Sequence, residues 1–196
     1  MKKVIVTIGR EFGSGGREIG LKLSEKLGIP FYDKKLIVHT AEKTNLEESI
    51  VEKYDEQHSF PAFSSSNIFD IYQMPMSDRI YIAQADVIRD IAEKESCIIV
   101  GRCADFILDD NPDVFKVFIT APMKDKVERK RSILEGKKDS EIENHIAKID
   151  KKRAKYYTYY TDRTWGKAST YNLCIDSSLL GIDGTVELIA KAIEMK

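Results

Sequence analysis

The run Val4-Ile-Val-Thr-Ile8, continuing as Gly9-Arg-Glu-Phe-Gly-Ser-Gly-Gly-Arg-Glu-Ile-Gly20, decides the fold. Its first five residues read as a short strand buried on both faces. Beyond the glycines, Ile19, Leu23 and Leu27 recur every four residues, the period of a helix that Gly28 and Pro30 stop. A strand, a glycine-rich loop and a helix in that order let successive N–H groups converge on one point. The helix behind them adds about half a positive charge, which makes a nest for phosphate. Gly13, Ser14, Gly15 and Gly16 would form that nest, with a tight structural turn as the competing reading. The loop departs from GxxxxGK[ST]: Gly16 stands at the lysine position, and Arg17 and Glu18 follow. It does not satisfy GxGxxG either. Arg17 is the guanidinium placed to supply the missing cation.

Working outward, three more β-branched runs appear, Cys97-Val100, Val114-Ile119 and Tyr171-Ile175, and Phe31-Tyr32 adds a very short fifth strand. Ile80, Ala83, Val87 and Ile91 form a helical stripe with Ser77 as its expected N-cap. Val127, Arg131 and Leu134 are placed on another helix, and Val186, Ile189, Ala190 and Ile193 on a terminal one. This alternation predicts an α/β fold, with helices on both faces of a parallel sheet of about five strands. Residues 34–76 contain helix-like runs and the stretch Phe60-Pro-Ala-Phe-Ser-Ser-Ser66, without a strong strand.

The chain has 196 residues, 31 Lys+Arg and 32 Asp+Glu, for a formal charge of -1. That length suits a single domain, and the near-neutral balance argues against nucleic acid or an anionic membrane as a whole-surface partner. Residues 124–163 nevertheless hold 13 Lys/Arg against 8 Asp/Glu, so +5 there offsets -6 elsewhere. No apolar run reaches the roughly 18 residues of a membrane span. Met1-Lys-Lys3 and the short apolar run after it read as a strand rather than a signal peptide. Three cysteines without a CxxC pair fit a reducing cytoplasm, Cys97 and Cys174 being read as small buried residues within strands. His39, His58 and His145 are too scattered for a metal site or a catalytic triad.

The glycine loop, together with Leu27-Gly-Ile-Pro-Phe-Tyr-Asp33, resembles the cytidylate kinase-like family of P-loop nucleoside monophosphate kinases. Cys97-Ile-Ile-Val-Gly-Arg102, Val117-Phe-Ile-Thr-Ala121, Asp150-Lys-Lys-Arg153 and Tyr171-Asn-Leu-Cys-Ile-Asp-Ser-Ser178 are similar to that family's later strands and lid. The resemblance implies a three-layer P-loop kinase domain, with core residues 1–33, 77–123 and 164–196, an acceptor-binding insertion at about 34–76 and a lid at about 124–163. It implies ATP with Mg²⁺ and direct phosphoryl transfer to a nucleoside monophosphate, CMP or dCMP first. Small-molecule nucleotides are then the partners, and a homodimer is compatible with the sequence.

On this reading Gly13 to Glu18 bind ATP, and Arg17, Arg153 and Asp150 serve the transfer. Arg102, at the carboxyl end of a strand, grips the acceptor phosphate. Asp33, Arg79 and Gln84 help hold the acceptor, Asp33 also being an expected helix N-cap. Lys126, Arg129 and Arg131 belong to the lid. Bland readings stand beside these: an i, i+3 surface pair for Asp150 and Arg153, and solvated helix faces for Arg129 and Arg131. Tyr156, Tyr157, Tyr159, Tyr160 and Trp165 are expected to pack the lid onto the core rather than stack nucleic-acid bases. Two departures from the family stand out. The loop lacks the lysine and the Ser/Thr that reaches magnesium, leaving Glu18 as a carboxylate that either holds the ion through water or repels phosphate. The lid has His145, Ile146 and Lys148 where the family usually carries another arginine. A nucleotide-binding module without catalysis, or a kinase of another small metabolite, therefore stays open.

Overall fold

A computed structural model describes residues 3–56 and 74–196. Met1, Lys2, Phe60 to Ser66 and His58 lie outside the described residues. Strands Ile5–Arg10 (β1), Phe31–Tyr32 (β2), Cys97–Val100 (β3), Val114–Thr120 (β4) and Leu173–Asp176 (β5) form one sheet in the order β2-β3-β1-β4-β5. Every pairing is parallel, with Ile5 opposite both Cys97 and Val114.

Alternate residues of the central strands face opposite layers, as strand geometry requires. Val6, Ile8, Ile98, Val100, Val117 and Ile119 pack on Ile19 and Leu23 of Gly16–Leu27 (α1) and on Val186 and Ile189 of Ser177–Glu194 (α8). Ile5, Cys97, Ile99 and Val114 pack the other way. They meet Leu36 of Lys35–Thr44 (α2), Val87, Ile88 and Ile91 of Met76–Lys94 (α4), and Ala104 of Ala104–Ile107 (α5). Glu48–Tyr54 (α3) joins α2 and α4 through Val51. The charged segment forms Met123–Arg131 (α6) and the 23-residue helix Asp139–Thr161 (α7).

Several local expectations are corrected. β5 begins at Leu173, not Tyr171, whose ring turns onto Phe118. β5 is an edge strand and Cys174 on it is exposed, whereas Cys97 and Cys103 are buried. Ser77 is buried inside α4, whose N-cap is Pro75. Leu134 lies beyond α6 in a turn and still packs with Val127. α2 has Lys34 at its N-cap with no side-chain cap bond, because the Asp33 carboxylate is drawn to two arginines instead. α8 is kinked at Gly181 (φ 66°, ψ −177°). Tyr156 and Tyr157 of α7 do pack on the core, buried with Cys103 against the partly buried Tyr81, Tyr160 and Trp165, whereas Tyr159 is 48% exposed. No helix among the described residues is long and apolar enough to cross a membrane.

Candidate active site

The loop leaves β1 at Arg10, in the middle of the sheet and at the carboxyl ends of the strands, where open α/β sheets bind ligands. The Glu11 N–H donates to the Ile119 carbonyl, and Gly13 and Gly15 take left-handed conformations (φ 84° and 81°). Gly15 caps α1, so the first N–H groups of that helix have no partner within it. Ser14 is fully buried, and its hydroxyl and its backbone N–H both donate to the Glu11 carbonyl, at 2.9 and 3.3 Å, which holds the loop in its turn.

A cleft of about 500 Å³ opens over this loop. Among the predicted site residues, Gly13, Gly15, Gly16, Arg17, Glu18, Asp33, Arg102, Arg129 and Arg153 line it. Arg17 does not turn over the nest. Its guanidinium meets Asp33 at 2.6 Å and stays 60% exposed. Arg129 instead donates to the Gly13 carbonyl at 2.7 Å, and a side chain at Gly15 would come within 3.6 Å of its guanidinium carbon. The cation nearest the glycines thus comes from α6. Lys126 is buried beneath the loop, 2.6 Å from Glu11 and 3.7 Å from Asp150. Asp150 accepts the Phe12 N–H at 2.6 Å, tying α7 to the loop. Arg131 pairs with Glu128 and Asp139 on the surface, and Arg79 is exposed on α4; neither lines the cleft.

Behind the loop lies a buried ionic cluster. Arg102 is 2% exposed and adopts φ 54°. It holds Asp55 through two nitrogens, at 2.8 and 2.7 Å, and reaches Asp33 at 3.4 Å. Gln84 donates to the same Asp55 carboxylate at 3.1 Å. Glu56 accepts two bonds from Arg10, at 2.6 and 3.1 Å, one from Arg153 at 3.2 Å and one from the Arg102 backbone N–H at 3.2 Å. Burial alone would raise the Glu56 pKa, but Arg10 and Arg153 outweigh it and hold the group well below the usual carboxylate range. Burial wins at Asp55 and Asp150, whose pKa values are raised. Arg153 is lowered by burial and by Arg10, and Lys130 by burial and by Arg153 and Arg129.

The reading by motif had no place for Arg10, Glu11, Phe12, Asp55, Glu56 or Lys130. Arg10 had a signal, since it ends the central strand beside the glycines. Phe12 bridges the loop to α6 and α7, its ring lying under Lys130 (4.6 Å) and Arg153 (5.8 Å) and meeting His145 edge-on. Asp55 and Glu56 are single charges at the end of a seven-residue helix, and no pattern distinguishes them.

Comparison with known proteins places the chain in a family and gives its fold relatives. A family model described as the cytidylate kinase-like family matches residues 5–179. A cytidylate kinase from Methanosphaera stadtmanae is 26% identical over 193 residues, covering 98% of this chain and 99% of that one. A crystal structure of an uncharacterised protein from Eubacterium ventriosum superposes with a TM-score of 0.76 at 34% identity, each chain fully covered. A shikimate kinase from Bacteroides thetaiotaomicron shares the fold, with a TM-score of 0.58 at 20% identity over 97% of this chain and 98% of that one.

Proposed function

Since the chain belongs to the cytidylate kinase-like family, we propose that it transfers a phosphoryl group from ATP to a nucleoside monophosphate, with CMP or dCMP as the first candidates. One observation carries this reading: the glycine loop opening α1 faces Arg102, Arg129 and Arg153 across a single cleft. Phosphoryl transfer needs two phosphates held in line and their charge neutralised from several directions.

In this scheme the α1 N-terminus and the glycine N–H groups hold the donor phosphates, with Arg129 above them. Arg153 reaches the moving group from α7, and Arg102 orders the acceptor side. Asp150 does not act on substrate directly; through the Phe12 N–H it sets the register of α7 on the loop. No covalent intermediate on the protein is required. In nucleotide sites magnesium takes most of its ligands from phosphate oxygens and water. When bound, such an ion would supply charge neutralisation for the phosphates. The exposed Glu18 carboxylate on the cleft wall is the group that would face such an ion. No group of three or more His, Cys, Asp or Glu among the described residues forms a metal cage.

A coupled assay with ATP, magnesium and a panel of nucleoside monophosphates and other small acceptors tests the proposal. Turnover highest with CMP or dCMP is expected. ATP binding by calorimetry without turnover on any acceptor would favour a nucleotide-binding module. The absence of a loop lysine and the outward pairing of Arg17 with Asp33 favour that second reading. Turnover confined to a different metabolite would keep the phosphotransfer and replace the acceptor.

A further inference from the structure

Every guanidinium of the buried cluster faces a carboxylate: Arg102 has Asp55 and Asp33, while Arg10 and Arg153 share Glu56. The cluster is therefore electrically closed, although it borders a cleft suited to anions. Glu56 stands apart from the other acids. Its backbone is left-handed (φ 50°), a conformation unfavourable to a residue with a side chain. Its two oxygens accept from two guanidiniums and one backbone N–H. A fork of nitrogens plus a main-chain donor is how proteins hold phosphate and other tetrahedral oxyanions. The residue below is Gly101, where a Cβ would fall 2.0 Å from Glu56 Oε1 and 2.1 Å from Arg10 Nη1, so the backbone is cleared for this contact. Arg10 and Arg153 also come from elements that bound the cleft, the end of β1 and the middle of α7.

We propose that Arg10, Arg153 and the Arg102 N–H form an oxyanion subsite for a substrate phosphate, and that Glu56 occupies it as an internal ligand which the phosphate displaces. The proposal deepens the phosphotransferase reading and rests on it only for which molecule carries the phosphate. Displacement breaks no covalent bond: one carboxylate leaves three donors and one phosphate takes them. It relieves the left-handed strain at Glu56 and leaves Arg102 with Asp55. Affinity for phosphate is then set by competition with a tethered anion, so the protein discriminates against singly charged ligands that grip the guanidiniums no better than Glu56 does.

The probe is inorganic phosphate, titrated calorimetrically into the wild type, E56Q and the double variant E56Q/R153A. Removing the competing charge should tighten phosphate binding by about tenfold or more, the scale of one charge-assisted hydrogen bond. Adding R153A should cancel that gain. Phosphate affinity in E56Q equal to or weaker than wild type overturns the proposal, as does a gain that survives R153A, which would place the phosphate elsewhere. Should E56Q be too unstable to titrate, its melting temperature is followed against phosphate concentration. A rise steeper than in wild type supports displacement, and the absence of any such recovery makes Glu56 a structural tie. A phosphate gain in E56Q without turnover on any acceptor removes the kinase reading and keeps the subsite; turnover with no gain does the reverse.

Discussion

Arg10 and Glu56 meet fork to fork, at 2.6 and 3.1 Å, directly over the α-carbon of Gly101. Three segments far apart in sequence meet at that contact: the end of β1, the end of α3 and the turn after β3. Gly101 carries φ 77°, so Gly101→Ala both strains the backbone and drives a methyl group into the ion pair. A loss of about 2 kcal/mol or more is expected in urea denaturation, the scale of a strained backbone added to a broken buried pair. A variant as stable as wild type would show that the pair shifts aside freely.

Arg102→Ala leaves Asp55 buried without its bidentate partner. Breaking a buried pair by removing one side costs about 3–5 kcal/mol. The Asp55 pKa is already raised by burial even with Arg102 present, and without it the carboxyl takes up a proton more readily still. The deficit relative to wild type should therefore shrink as pH falls from 8 to 5. Arg102→Lys should rescue poorly, since an ammonium cannot match the fork. An equal deficit at both pH values would count against an unpaired Asp55 as its origin.

Arg129→Ala should raise KM for ATP by about tenfold, some 1.4 kcal/mol, with little change in melting temperature. Arg131→Ala, which removes only surface pairs with Glu128 and Asp139, is the control and should leave both unchanged. Steady-state kinetics with ATP varied distinguishes the two. Identical behaviour of both variants would detach Arg129 from the donor site.

Glu56 binds its proton more weakly in the folded protein than its ordinary value of 4.5 implies. It therefore contributes stability that is fully present above pH 4.5 and is lost as pH falls below that value toward the depressed folded pKa. In a pH series of urea midpoints, E56Q should be less stable than wild type near neutrality. Its curve should also fall less steeply below pH 4.5. Parallel acid limbs for the two proteins would contradict this.

The layers were legible because β1, β3 and β4 are buried on both faces, and continuous apolar runs say so. The glycine loop was legible because glycine has a local conformational meaning. Edges were read less well. β5 is covered on fewer sides, so its apolar signal ran on into Tyr171, and Cys174 was misplaced inward. The carboxylates were the hardest. Asp33 looked like an N-cap because a lone Asp before a helix usually is one, and only the fold brings Arg17 and Arg102 to it. Asp55 and Glu56 meet guanidiniums more than 45 positions away, and local sequence carries no record of such distances.

The loop is fastened from the far end of the chain. Ser177 donates to the Ser14 carbonyl at 2.6 Å across 163 positions, and a Cβ on Gly15 would strike Ile182, just past the kink in α8, at 2.4 Å. β1 meanwhile sits between β3 and β4, both of which are synthesised later. On the ribosome the glycine segment emerges ahead of the later strands and helices that flank it, yet it receives its last supports only once Ile182 has cleared the exit tunnel. A nascent chain stalled short of that residue would hold most of the sheet and a slack glycine loop, so nucleotide binding becomes an indicator that synthesis of the domain has reached its α8 helix.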